Sequence, residues 1–456
     1  MLGRLAGVLS ANTIERIESS VLAELEAGTV DAAEKGIQRL LRAQPRNRDA
    51  ALALVRIVGA RSLPIERGLA VFEAVFGAHA SDPELLVAMG NTASSVRDID
   101  DLNTAPPASP LFSELADALY TRAQEATDSE MEEALLFALA NTTRMMARQQ
   151  DEVCARAYRR LTELAPDTGY HHYNLGLYCK TRGLFHEGLR ANQAAARLAD
   201  EPSDALDWNL GICATGAGEG AVALALWKRR GQKMELGRFG LPDGGYPDCK
   251  VKLAQRPLAE RDSTQDDPGL EETIWVERRS PCHGIVRSAL YQRLGVDYGD
   301  VVLFDGAPIT YHTYGEKKIP VFPHLATLVR PGYHLYDFAG TQELPRQLAD
   351  ASTALADDAV IYSHTEQFVQ LCEACWRSEA TDHAKHTKTA AHVVVGRIAA
   401  PPHIEPAELL RQLDAAMAER APCRIYVPEL CEAAGMSERA EVERRRFGMV
   451  ASTEGQ

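Results

Sequence analysis

The sequence predicts a multidomain α plus mixed α/β protein: an N-terminal α-solenoid of helix pairs, a small β-rich domain and a C-terminal α/β region. Three observations predict it. From residue 13 to about 230, apolar residues recur at three- and four-residue spacing between short breaks, the period of helices that bury one face. Between 273 and 340 the period changes to runs rich in Val, Ile, Tyr and Phe, bounded by Gly, Pro and Asp. Beyond 341, helical and strand-like runs alternate. The expected boundaries are 1–232 for the repeat domain, 233–269 for a connector, 270–340 for the β-rich domain and 341–456 for the α/β region. The last two can also be read as one domain.

The bulk composition narrows the function classes. A chain of 456 residues is long enough for two or three separate cores. Apolar residues make up 45% and charged residues 25%, the profile of a soluble globular protein. No run of eighteen apolar residues exists, so no membrane span is expected. The start lacks the ordered basic, apolar and small-residue regions of a signal peptide, so the expected location is cytoplasmic. A formal charge of −15 argues against direct nucleic-acid binding over the whole surface. Nine cysteines spread over a long chain do not form a secreted disulfide framework and are expected to be reduced.

The repeat is clearest late in the first half. HHYNLGLYCKTRGLFHEGLRANQAAARLADEP spans 171–202, and LDWNLGICATGAGEGAVALALWKRRG spans 206–231. Aligned on the shared Asn-Leu-Gly, Asn174 falls on Asn209 at an offset of 35. Gly176, Gly183 and Gly188 then fall on Gly211, Gly218 and Ala223, while Ala195 falls on Arg230 and breaks the match. Pro166 and Pro202 close successive units. This pattern resembles the tetratricopeptide (TPR) repeat, well over 130–230 and loosely upstream. The resemblance implies close-packed helix pairs and a concave groove for a protein or peptide partner. Asn174, Tyr178, Lys180 and Asn209 are the expected partner-binding residues, with Tyr173 and Arg182 beside them. Packing between helices is the alternative for Tyr173 and Tyr178.

The segment from 233 to 269 loses periodicity, and Lys228, Arg229, Arg230, Lys233 and Arg238 form a basic cluster around its start. That cluster suits either phosphate contact or a solvated helix end. Strands are expected at 273–279, 284–288, 299–306, 309–315 and 318–329, in a small barrel or curled sheet. Neither GxGxxG nor GxxxxGK[ST] occurs where a phosphate-cradling loop would need it. Residues 280–306, SPCHGIVRSALYQRLGVDYGDVVLFDG, resemble the C-terminal domain of Gre-type transcript-cleavage factors. Ser280, Pro281, Gly284, Leu294, Gly299, Asp300, Val301 and Val302 carry the resemblance, with Tyr298 in place of the family's valine. The match covers under thirty residues and lacks the family's acidic coiled-coil arm. It implies a small β domain that docks on another protein, and association with the transcription machinery as a lesser alternative.

Candidate reactive residues lie in the second half. Cys282 beside His283 suggests a nucleophile, with His312, His324 or His334 as a distant base, but adjacent strand residues face opposite ways. LCEACWRSEATDHAKHTK, 371–388, supplies Cys372, Cys375, His383 and His386, a donor set suited to zinc or another transition metal. The competing reading makes 366–380 one helix, with the cysteines on its apolar side as small hydrophobes. The function expected from these elements is a protein- or peptide-binding adaptor with a C-terminal effector or interaction domain. Its rival is a metal-dependent enzyme, with a His/Asp or Cys/His centre, acting on a peptide or protein recruited by the repeat.

Overall fold

The computed structural model describes residues 9–98, 105–262, 265–267, 269–342, 344, 346–356, 358–372, 388–420 and 423–451, with backbone alone for 365–372, 388–391 and 450–451. Two compact units emerge. One is Met1–Gln232 with Leu258–Asp267; the other is Lys233–Pro257 with Pro268–Gln456.

The first unit is built of helices in antiparallel pairs: α1 (Ala11–Glu26) with α2 (Val30–Ala43), α3 (Arg48–Gly59) with α4 (Ile65–His79), and α5 (Pro83–Thr92) followed by α6 (Leu111–Glu125). Next come α7 (Ser129–Arg144) with α8 (Asp151–Leu164), α9 (Gly169–Thr181) with α10 (Phe185–Leu198), and α11 (Asp204–Gly216) with α12 (Gly220–Arg229). Side-chain caps start several of them. Asn47 accepts from the Ala50 N–H, Asp82 from those of Glu84 and Leu85, Asp128 from that of Met131 and Ser203 from that of Leu206.

The 35-residue offset is literal in the backbone. Helices α9 and α11 begin 35 residues apart, at 169 and 204, and so do α10 and α12, at 185 and 220. Gly183 (φ 71°) and Gly218 (φ 76°) end the first helix of each pair in the left-handed conformation. The Leu184 N–H donates back to the Cys179 carbonyl at 3.0 Å, and Glu219 to Ala214 at 2.9 Å, again 35 apart. A Cβ on Gly176 would sit 2.5 Å from Asn192, and one on Gly211 would sit 2.3 Å from Trp227, so both pairs need glycine where their helices cross. The match fails at Arg230 because α12 ends there: Gly231 turns left-handed, and Arg230 pairs with Asp204 and Asp207.

The second unit starts with a short hairpin, β1 (Glu235–Leu236) with β2 (Pro242–Asp243). Then come β3 (Cys249–Ala254), β4 (Glu271–Arg278), β5 (His283–Val286), β6 (Val301–Phe304), β7 (Thr310–Tyr314) and β8 (Lys317–Val329). They pair in the order β3-β4-β5-β6-β8-β7, and β3 also pairs with β8, in parallel. That extra pairing closes β3, β4, β5, β6 and β8 into a ring around Val251, Val276, Val302, Phe304 and Phe322. The stretch expected as connector therefore supplies a barrel strand. In CKVKLA, Val251 and Leu253 are buried while Lys252 reaches out to Glu271.

A second sheet follows, formed by β9 (His334–Thr341), β10 (Val360–Cys372), β11 (Lys388–Ala400) and β12 (Arg424–Tyr426) in the order β10-β11-β9-β12, with every pairing antiparallel. Helices α13 (Gln347–Leu355), α14 (Pro406–Ala418) and α15 (Pro428–Ala433) pack on it, and α16 (Ser437–Ala451) follows. The expected β11–helix–β12 unit is present, but β9 lies between its two strands, so the crossover is a split one. The helix expected at 366–380 is corrected as far as Cys372. Continuous pairing from Val360↔Ala399 to Cys372↔Lys388, with one shift at Ser363/Thr365, makes that part a strand. No helix of the described residues is long and apolar enough to cross a membrane.

Candidate functional site

The odd-numbered helices of the repeat form one layer. Packing runs α1 to α3, α3 to α5, α5 to α7 and α9 to α11. Helices α7 and α9 meet through the Phe137 and Tyr170 rings, 5.3 Å apart, and through His171 Nε2 and Glu133 at 2.8 Å. In a solenoid, the layer whose helices approach one another most closely lines the concave side.

Most of the sequence-expected groove residues are used inside this unit. Lys180 is 5% exposed, and its Nζ donates to the Asn209 side-chain oxygen at 2.9 Å. Asn174 is buried and donates to the Tyr170 carbonyl one turn earlier, at 2.8 Å. The Tyr178 hydroxyl donates to the Asp151 carbonyl at 2.9 Å, and the ring packs under the Arg182 guanidinium. Arg182 in turn holds Asp151 at 3.0 Å and the Ala147 carbonyl at 2.6 Å. The structure thus brings Lys180 and Asn209 together and leaves Asn174 and Tyr178 bonded to backbone.

Three half-buried aromatic rings stand in corresponding places on the inner helices: Phe137 on α7, Tyr173 on α9 and Trp208 on α11. They lie 36 and 35 residues apart. Tyr170, 57% exposed, extends the group, and Trp208 rests edge-on against Trp227 at 5.3 Å. Sequence reasoning reached Tyr173 but passed over Phe137, Tyr170 and Trp208. Extending the Asn-Leu-Gly alignment by one residue toward the N-terminus would have matched Tyr173 to Trp208.

In the second unit, Cys282 is wholly buried at the turn before β5, and its carbonyl accepts from the Phe304 N–H. Beside it, Ser280 organises the turn. Its Oγ accepts from the N–H groups of Cys282 (3.2 Å) and His283 (3.1 Å), so its own proton goes to His283 Nδ1 at 2.6 Å. His283 is thereby fixed with its proton on Nε2, and burial, helped by Arg279, holds its pKa down to about 4. His312 lies on β7, where Lys250 Nζ is 3.3 Å from its Nδ1. His324 is buried on β8, opposite Phe304, with Nε2 3.4 Å from the Thr327 hydroxyl.

Among the described residues, no group of three or more His, Cys, Asp and Glu gathers as a metal site. Cys375, His383 and His386 lie outside the described residues; Cys372 is the last residue of β10. Seven cysteines of the described residues are buried, and burial pushes the thiols of Cys154, Cys249 and Cys431 up to about 12. At neutral pH these three are protonated packing groups.

No family model matches the chain, and no curated protein matches it. Similar solved structures include the MamA protein, at 15% identity over 39% of this chain and 89% of that one, with a TM-score of 0.28. PilF of Pseudomonas aeruginosa is 12% identical over 47% and 89%, with a TM-score of 0.31. YrrB, described as a TPR protein with an unusual peptide-binding site, is 16% identical over 42% and 89%, with a TM-score of 0.26. With helix starts, left-handed glycines and capping bonds all recurring at 35 residues, the N-terminal unit is a TPR-like array by its own geometry.

Proposed function

We propose that the chain is a protein-binding adaptor whose repeat unit holds an extended or helical partner segment along the inner helices, with the second unit as a further interaction or effector module. The observation that carries this reading is the aromatic series Phe137, Tyr173 and Trp208, on the last three inner helices and each half-buried. Large rings held rigidly from below offer contact area at small entropic cost, the property of interface anchors. Lys180 and Asn209 support that surface from underneath by fixing α9 to α11.

The test is to select peptides from a displayed library against the full chain and measure their affinities by calorimetry. Replacement of Tyr173 or Trp208 by alanine is expected to weaken the selected peptides roughly tenfold or more, the loss typical of a hot-spot residue. Helical circular dichroism and melting are read on the same samples. Peptides that bind both variants as tightly as the parent chain would remove the inner face from the proposal.

A further inference from the structure

The second unit encloses a cavity of about 490 Å³ beside β5. Its polar wall comes from Arg238 of the β1–β2 hairpin, Arg279 just after β4, His283 of β5, Arg287 and His403. Phe239, Leu241, Ile285, Val301 and Tyr333 supply apolar surface. Gly299 shapes one side: its φ is 89°, and the Tyr333 ring sits where a Cβ would be, 2.5 Å from it. The volume is that of a small-molecule site and exceeds what a bare ion needs.

The hydrogen-bonding groups on this wall are mostly donors. Glu277 takes one guanidinium nitrogen of Arg279 and grips Arg287 through two nitrogens, and Asp243 stands 3.4 Å from Arg279. Two carboxylates thus face three arginines. Arg238 has no acidic partner among the described residues; its guanidinium lies over the Phe239 ring. Arg279 Nε is buried without an acceptor among the described residues. The Ser280 hydroxyl leaves a proton on His283 Nε2, and no described residue accepts it on this cavity wall. A buried donor without an acceptor costs free energy that an occupying acceptor would return.

We propose that this cavity binds a small molecule carrying one anionic group, phosphate or carboxylate, on an apolar or aromatic body. Arg279 Nε and His283 Nε2 donate to the anion, Arg238 supplies the outer charge, and Phe239 and Tyr333 flank the body. Arg287, tied to Glu277, serves as part of the wall.

Titration of the full chain at pH 7.5 and constant ionic strength, read by calorimetry and thermal shift, tests this with four probes: inorganic phosphate, phenyl phosphate, benzoate and benzyl alcohol. Saturable binding of phenyl phosphate or benzoate, tighter than inorganic phosphate and absent for benzyl alcohol, is expected. The preferred ring compound identifies the anion as phosphate or carboxylate. Arg279→Gln and Arg238→Ala should each weaken that probe roughly tenfold, the scale of a lost charge-assisted hydrogen bond or ion contact. Arg411→Ala, on the exposed Glu408 pair of α14, controls for net charge. Arg238 is an exposed loop residue, so its variant keeps the test valid if Arg279→Gln misfolds. No saturable binding by any probe, or an equal loss in Arg411→Ala, overturns the proposal.

Discussion

Two sets of buried polar side chains, one in each unit, are satisfied in different ways. In the repeat, Lys180 is matched by Asn209, and Arg182 by Asp151 and a carbonyl. These side chains hold helices at fixed spacing, while Phe137, Tyr173 and Trp208 stay half-buried. In the second unit, Ser280 aligns His283 toward a cavity, where its remaining N–H and the Arg279 Nε meet no acceptor among the described residues. Lys180 and Arg182 thus act as girders, whereas His283 and Arg279 keep donors for the ligand proposed above. What separates the cases is where the last unsatisfied proton points, which residue type alone does not reveal.

The largest expected effect would break the first half of that contrast. Arg182→Leu leaves Asp151 half-buried with its main partner gone, and should cost about 4 kcal/mol, as for other broken buried pairs. Urea unfolding followed by circular dichroism measures it. Adding Asp151→Leu should return part of the loss. A single variant within 1 kcal/mol of the parent would mean that the pair is no girder.

The second half is tested by acid. The folded pKa of His283, about 4, lies below the ordinary value of 6.5. Its contribution is therefore fully present above pH 6.5 and is lost as pH falls through about 4, because the unfolded chain binds the proton first. The span corresponds to about 3 kcal/mol. Asp300 has the opposite sign. Burial pushes its pKa up to about 6, so its contribution is present below pH 3.8 and lost as pH rises through 6. Asp300→Asn, which keeps an acceptor for the Asp297 N–H, should stabilise the chain by up to about 3 kcal/mol at pH 7.5 and not at pH 3.5. Scanning calorimetry of His283→Gln and Asp300→Asn across pH 3.5–7.5 reads both. A parallel offset at every pH in either variant would assign that side chain a packing role only.

How much of this was legible in the sequence depended on whether a pattern was local. The helix pairs and most barrel strands were readable because apolar period and turn glycines specify them within a few residues. Strand β3 was hidden by its setting: CKVKLA lies in a Gly-, Pro- and charge-rich stretch, and its place is set by pairing with β4 and β8. Strand β10 reads in part as a helix because Phe368, Leu371 and Cys372 suit either period; the twelve residues of β11 paired with it decide the matter. For the candidate sites, Lys180 and Asn209 were picked as polar groups at repeat positions, but their mutual bond depends on the spacing of α9 and α11. His283 was noticed as a neighbour of Cys282, whereas its working partner is Ser280, three residues back. A serine followed two and three residues later by N–H groups it can accept is a turn signal visible in sequence.

The smallest expected effect compares the two late repeats with each other. Gly183 and Gly218 are equivalent, with φ of 71° and 76°, so alanine at either pays the same left-handed backbone cost of about 1 kcal/mol. Their surroundings differ. Nothing lies within 4 Å of a Cβ at Gly218, whereas one at Gly183 would meet the Ala259 methyl at 3.0 Å. Ala259 belongs to a short turn, Leu258–Glu260, whose Leu258 carbonyl accepts from Arg148. Gly218→Ala therefore measures the backbone term alone, and Gly183→Ala adds the cost of moving the turn. A difference of about 0.5–1 kcal/mol in urea unfolding would show that the turn is held firmly against the repeat, because a tight contact must then be relieved by displacing packed atoms. Equal values would show that Arg148 holds the turn too weakly to resist a single methyl group.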